Sequence, residues 1–435
     1  MVRWAAGFAQ AFRFGGSGFV TSPVRVKKYG GTSVGSVERI RKIAGDLVED
    51  HRQGTPQVVV VSAMAKTTDQ LVNMAFQVSP RPRARELDML LATGEQVSIA
   101  LLAIAIQELG AEAVSMTGAQ CGIITDSNFS RARIQDIATG KIQRALDDGN
   151  IVIVAGFQGV TSNYEITTLG RGGSDTTATA LAAALKSPLC EIYTDVDGVF
   201  TADPRLVPEA RLLPYISYEE MLEYAASGSK VLHPRCVEIA NKFNVPLQVR
   251  SSFHDRPGTT IVKEEVLEAV AITGVTGDAK IARLALTRVR DIPGIAARIS
   301  GALSDAGINI RLIIQGARHD ETNDVLLIVG EEDADRSVTL LNEIAGEVGA
   351  NQVQVDTRVA KVSVIGSGIA STPGVAARMF KALAEQGINI ELISSSEVRI
   401  ACIIQEDRLT DAVQAIHREF DLAKVERTKV AATPA

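Results

Sequence analysis

Residues Pro293–Ile313 read PGIAARISGALSDAGINIRLI, and Pro373–Ile393 read PGVAARMFKALAEQGINIELI. The offset is 80 residues without a gap, and 13 of the 21 aligned positions are identical, so this is a true internal repeat. The same elements are expected in each copy. A strand (Ala282–Thr287; Ala360–Ile365) leads to a Pro-Gly turn that opens a helix. The helix runs to Gly307 or Gly387, placed as a C′ residue able to take positive φ. A strand beginning Ile-Asn-Ile follows, then a further strand and helix: Asp324–Val329 with Ala334–Glu347, and Val398–Ile404 with Leu409–Phe420. Strand-helix-strand-strand-helix is a split βαβ plan.

The chain before the repeat has a different rhythm. Val58–Val61 and Ile151–Ala155 are continuous apolar runs, the pattern of strands covered on both faces of a parallel sheet. Helices are expected over Gln96–Leu109 and Thr176–Leu185, with a strand near Cys190–Tyr193. The alternation reads as an α/β sandwich from about Val24 to Arg250, followed by a linker at Ser251–Gly258. With 435 residues, two or three domains are expected. Residues 1–23 carry Arg3 and Arg13 and no acidic residue; they read as a transit-like segment, a flexible extension or the product of an upstream start codon, and are set aside.

Composition excludes several classes. A formal charge of −6 and 4% aromatic residues argue against nucleic acid as a partner. No apolar run looks long enough for a bilayer. Cys121, Cys190, Cys236 and Cys402 are far apart and form no CxxC pair, as expected of reduced, buried thiols. Those signs place the protein in the cytoplasm, with no nucleic-acid or membrane partner and no dedicated metal site.

Nucleotide signatures of the common kinds are missing: there is no GxxxxGK[ST], no strand-linked GxGxxG and no GxSxG elbow. Two other glycine-rich turns stand out. Lys28-Tyr29-Gly30-Gly31-Thr32-Ser33 follows the strand Val24–Lys27. Paired glycines let backbone approach a phosphate, and the lysine adds a mobile positive charge. Thr168-Leu169-Gly170-Arg171-Gly172-Gly173-Ser174-Asp175 ends a strand and opens an alanine-rich helix, with Ser174 or Asp175 expected as the N-cap. The planar fork of Arg171 suits a carboxylate. Thr194–Arg205 (TDVDGVFTADPR) is an acidic loop after a third strand.

Together these segments closely resemble aspartate kinase of the amino acid kinase superfamily, with two C-terminal ACT domains. The matching pieces are KYGGTSVGSVERIR (Lys28–Arg41), VVVVSAM (Val58–Met64), TTD (Thr67–Asp69), ATGEQ (Ala92–Gln96), FQGVT (Phe157–Thr161), TTLGRGGSDTTA (Thr167–Ala178), TDVDGVFTADPR and SGSKVLHPR (Ser227–Arg235). The resemblance spans about Val24–Leu422. It implies a three-layer αβα kinase sandwich over 24–258 and two α+β ferredoxin-like ACT domains, 259–348 with a linker strand and 349–425, before a tail at 426–435.

The activity it implies is phosphoryl transfer from ATP, with Mg2+ carried by the nucleotide, to L-aspartate, giving 4-phospho-L-aspartate and ADP. That is the first step of lysine, threonine and methionine biosynthesis. The β-carboxylate is already ionised at neutral pH, so positioning and charge neutralisation suffice. By resemblance, Lys28 and Asp175 are catalytic. Ser33, Thr68, Glu95, Arg171, Gly172, Gly173 and Ser174 hold aspartate, with Arg171 on its α-carboxylate. Lys28, Gly30, Gly31, Ser62, Thr194, Asp195, Asp203, Arg205 and Lys230 line the nucleotide, and His233 is structural. The ACT pair implies a homo-oligomer and feedback by lysine, threonine or both, near Asp291, Pro293, Gly294, Asn309, Ile310, Gln315, Asn389 and Ile390. Two departures are visible. Tyr164 stands where a glycine is common, and Gln315–Asp320 lacks the usual Asn-Val-Ser run. Another amino acid kinase, or a silent sensor that keeps the fold, are the alternatives; the sensor would lack Lys28, Asp175 or Arg171, and all three are present.

Overall fold

The computed structural model describes residues 23–229, 231–263, 272–317 and 322–424. The chain forms two units, 23–195 with 242–255, and 196–241 with 256–424. Lys230, the stretch Arg318–Asp320 and both chain ends, about which the sequence raised expectations, lie outside the described residues.

The first unit is built on six parallel strands: β1 (Arg25–Tyr29), β2 (Gln57–Val61), β3 (Ala113–Met116), β6 (Ile151–Ala155), β9 (Cys190–Thr194) and β10 (Leu247–Ser251), in the order β10-β9-β1-β2-β6-β3. Its apolar runs are buried along their whole length in β2 and β6, as two-sided cover demands. Successive side chains alternate faces. Val59, Val61, Ile151 and Ile153 meet helix α1 (Val37–Arg52) through Ile40, Ile43, Ala44 and Leu47. The same residues meet α4 (Thr93–Glu108) through Ile99, Leu102 and Ile106. Between these helices lie α2 (Thr67–Val78) and α3 (Ala84–Leu91). The other face carries α5 (Gly140–Asp147) on β6 and α6 (Gly173–Ala184) on β1, β2 and β9. The three-layer expectation is met.

Helix α6 is buried almost all round, so its threonines need internal partners. Thr176, Thr177 and Thr179 each donate to the carbonyl four residues back. A small second sheet, in the order β5-β4-β7-β8, comprises β4 (Ile123–Thr125), β5 (Ile134–Ile137), β7 (Gln158–Val160) and β8 (Ile166–Thr168). Tyr164, in the hairpin between β7 and β8, has φ of 62° and an exposed ring. That backbone explains why a glycine suits the position.

One expectation about apolar runs needs correction. Ala84–Glu108, which joins α3 to α4 through Ala92, is long and apolar enough to cross a membrane by length and composition. Half of its most apolar window is buried inside the unit.

In the second unit α7 (Tyr218–Ala226) starts with a capping box between Ser217 and Glu220. A short parallel pair, Tyr215–Ser217 with Thr259–Val262, precedes the repeat. Then come β11 (Gly274–Asp278), β12 (Ile281–Arg290), α8 (Ile295–Asp305), β13 (Leu312–Ala317), β14 (Thr322–Gly330), α9 (Ala334–Val348) and β15 (Gln352–Asp356). The second copy is β16 (Val359–Ile365), α10 (Val375–Glu385), β17 (Leu392–Ser395), β18 (Arg399–Gln405) and α11 (Leu409–Glu419). Gly307 and Gly387 have φ of 72° and 65°. Ile308 and Ile388 donate back to Leu303 and Leu383, closing the same Schellman turn in both copies. Those bonds hold the Ile-Asn-Ile segment in the turn, so the next strands start at Leu312 and Leu392 rather than at the isoleucines.

Sheet membership does not follow the expected division at 348/349. The two antiparallel sheets are β13-β14-β12-β15 and β11-β16-β18-β17. Thus β11, which precedes the first copy, completes the second copy's sheet, and β15 closes the edge of the first. The sheets meet through Ile281, Ile328, Val359 and Ile403. Residues 196–241, assigned from sequence to the kinase region, group with this unit because Ala202 and Val207 enter the second copy's core beside Val275, Val362 and Ile416.

Candidate active site

In the first unit β1 has β2 on one side and β9 on the other. The chain runs outward from β1 through β2 and later returns to the opposite side, so the carboxyl end of β1 is a topological switch point, where α/β sheets bind ligands. The strand extends to Tyr29 rather than Lys27, which puts Lys28 inside the ladder opposite Val60 and Ile192. Its ammonium lies 2.5 Å from Asp175 Oδ1, with both side chains nearly buried. Two charges so removed from water are tolerated only as a pair.

Helix α6 delivers Asp175. Its N-cap is Gly172, φ 67°, with no side-chain cap, so Ser174 and Asp175 sit in the first turn rather than at the cap. Gly173 already follows helical geometry, and a bulkier side chain cannot cap from position 172 at that φ. The turn is drawn onto the sheet by close backbone approach. A Cβ on Gly156 would fall 2.6 Å from Ser174 Oγ, and one on Gly173 would fall 2.7 Å from the Phe157 ring. The Phe157 amide donates to Thr177 Oγ1, and its own φ is 69°. Gly156 was not singled out from the sequence; the signal was a glycine ending the Ile151–Ala155 run.

The Gly-Gly turn differs from expectation in one respect. Gly30 N–H donates to Tyr193 O at 3.0 Å, prolonging the β1–β9 ladder, so this amide is not available to a phosphate. Gly31 takes the close approach: a Cβ there would lie 2.8 Å from Ala63 O. Ser33 is buried, and its hydroxyl donates to Ser252 Oγ, which bonds Thr194 O. Ser33 therefore braces these loops. Ser62 and Thr68 are half-buried, Arg171 and Asp195 are exposed, and Thr194 Oγ1 donates to Asp195.

Glu95 is a strongly perturbed carboxyl at the start of α4. Gly94 lets the start of α4 touch Ala63 (a Cβ would be 2.9 Å from that methyl), and Glu95 Oε1 accepts from Ala63 N. Its Oε2 is buried without a partner among the described residues. Burial pushes the carboxyl up to about 7, against the pull of the Ala63 amide. The structure thus brings Lys28, Gly31, Ser174 and Asp175 to the carboxyl edge of the sheet, with Glu95 against the Ser62–Ala65 loop. Asp203 and Arg205 belong to the second unit, where the Arg205 fork closes on Asp203 at 2.6 and 3.0 Å.

A cleft of about 340 Å³ lies in the first repeat copy, lined by Arg290, Asp291, Pro293, Gly294, Gln315 and Asn323 among others. It gathers Asp291, Pro293, Gly294 and Gln315 as expected. Asn309 and Ile310 do not line it; Asn309 is exposed in the Schellman turn. Asn389 and Ile390 occupy the equivalent turn of the second copy. Asn323 was missed: it is buried, with Oδ1 unpartnered among the described residues. Its signal was a polar residue in the inward series 323, 325, 327, 329 of β14, which is otherwise apolar.

Family models match the chain as follows: the amino acid kinase family over 23–251 and an ACT domain over 284–346 and again over 362–420. The chain is 51% identical to the aspartokinase of Geobacillus stearothermophilus over 401 residues, covering 92% of this chain and 97% of that one. It is 49% identical to that of Mycolicibacterium smegmatis over 403 residues, covering 91% and 96%. Among solved structures, E. coli aspartokinase III in complex with aspartate and ADP is similar with a TM-score of 0.79 at 25% identity, covering 91% of this chain and 99% of that one. With the Lys28–Asp175 pair at the switch point and a duplicated module in the C-terminal part of the sequence, the chain belongs to the aspartokinase family.

Proposed function

We propose that the protein transfers the γ-phosphoryl group of MgATP to the β-carboxylate of L-aspartate, giving 4-phospho-L-aspartate and ADP. The observation that carries this reading is the Lys28–Asp175 pair, 2.5 Å apart where β1 and α6 converge. Asp175 fixes the ammonium, which neutralises the growing charge on the phosphoryl group in flight. No proton has to move, because the acceptor carboxylate is already ionised. The Gly31 backbone receives the phosphate. Ser62, Thr194, Asp195, Asp203, Arg205 and Lys230 are assigned to the nucleotide on the family resemblance. Arg171 grips the α-carboxylate through its planar fork. Glu95, whose Oε2 lacks a partner among the described residues, takes the α-ammonium, with Thr68 and Ser174 beside it.

The functional division we propose keeps 24–258 as the kinase region and gives the two repeat copies beyond it an effector-sensing role. Lysine, threonine or both bind the cleft by Asp291 and Gln315, a zwitterion matching its mixed Arg290, Asp291 and Asn323 lining. The active form is a homo-oligomer joined through the ACT copies, and the reaction belongs to the cytoplasm. Replacing Lys28 by Ala tests the reading: hydroxamate trapping of aspartyl phosphate should fall by about 10²–10³-fold while the thermal transition persists. Near-normal turnover would remove Lys28 from the mechanism.

A further inference from the structure

Asp88, on α3, has no part in the mechanism above, yet it is wholly buried. Its carboxylate takes four hydrogen bonds from two segments far apart in sequence. Oδ2 accepts the amides of Ser130 and Thr168, both at 2.8 Å. Oδ1 accepts the hydroxyls of Ser130 and Thr168, at 3.1 and 2.8 Å. Thr168 ends β8, and Ser130 lies in the loop from β4 to β5.

Around this carboxylate the two segments lock together. Ala132 N donates to Thr168 O, and a Cβ on Gly170 would fall 3.0 Å from Ser130 O. Ser130 holds a φ of 66°, and Asp126 Oδ1 ties the same loop by accepting the amides of Asn128 and Arg133. Thr168 stands three residues before Arg171, across Gly170 with φ of 77°. The turn that presents Arg171 therefore starts from a fixed point.

We propose that Asp88 is a positioning residue: by clamping Thr168 to Ser130 it sets the place of the Leu169–Gly173 turn and hence of Arg171 before the substrate carboxylate. This rests on the reading of Arg171 given above. The two backbone amides at Oδ2 must meet an acceptor, and an alanine at position 88 would leave both amides and both hydroxyls without this partner. Displacing an exposed arginine weakens substrate binding selectively, whereas the nucleotide residues are carried by other elements.

Steady-state kinetics of the full-length protein test this. Asp88→Ala should raise KM for aspartate about tenfold or more while KM for MgATP stays within about twofold. Thr168→Val, which loses one hydroxyl donor, should raise KM for aspartate by a smaller factor, and Thr168→Ser should restore it. Should Asp88→Ala fail to fold, the Thr168→Val and Thr168→Ser pair decides. An unchanged KM for aspartate in a folded Asp88→Ala or Thr168→Val, or equal changes in both KM values, overturns the proposal. Arg171→Lys, measured alongside, separates the two readings. If it raises KM for aspartate and the clamp variants do not, Asp88 alone is misassigned. If it leaves that KM unchanged, the role of Arg171 falls and the route claimed for Asp88 falls with it.

Discussion

At the scale of single residues, Glu95 has the clearest signature. A carboxyl raised to about 7 by burial holds its proton in the folded chain between about 4.5 and 7, where the unfolded chain has released it. Its contribution to stability is full below the lower value and is lost as pH rises through about 7. If Glu95 receives the substrate ammonium it must be ionised, so kcat/KM for aspartate should fall as pH drops below about 7. Glu95→Gln should flatten that acid limb and raise KM for aspartate roughly 10–100-fold, the worth of one hydrogen bond to a charged group. An unaltered pH profile would exclude the role. Residues of this kind were unevenly legible. Lys28, Asp175 and Glu95 belong to motifs and could be picked out in the sequence. Asp88 has no motif, because a buried carboxylate that clamps two distant loops is defined only by the fold. The place of Gly30 at the turn was readable, but not that the neighbouring strand takes its amide.

Among elements, α7 and β16 are joined by a buried lysine. Lys361, on β16, donates to Ala226 O at the end of α7, where a cation suits the helix dipole. Burial, reinforced by Arg399, holds its ammonium down to about 8. Between about 8 and 10.5 the unfolded chain binds this proton more tightly, so stability should rise with pH across that window, the burden being full below 8. The span corresponds to at most about 3 kcal/mol. Lys361→Met should remove that slope from urea titrations at pH 7.5 to 10; a slope unchanged by the substitution would show that the lysine is not so depressed. Element types were legible from periodicity, and the repeat's symmetry reappears in matched Schellman turns. The exchange of edge strands was not, since which copy's sheet β11 and β15 join depends on pairing across tens of residues.

For the whole molecule, residues 196–241 group with the repeat rather than with the strands of the first unit. Ala202 and Val207, which flank Asp203 and Arg205, lie in the hydrophobic core of the second repeat copy. The central claim is the activity itself, and hydroxamate trapping with full-length protein, MgATP and L-aspartate measures it most directly. The account predicts aspartyl hydroxamate that depends on both substrates and is suppressed on titration with lysine, threonine or both. Hydroxamate formed from glutamate or N-acetylglutamate but not from aspartate would contradict it.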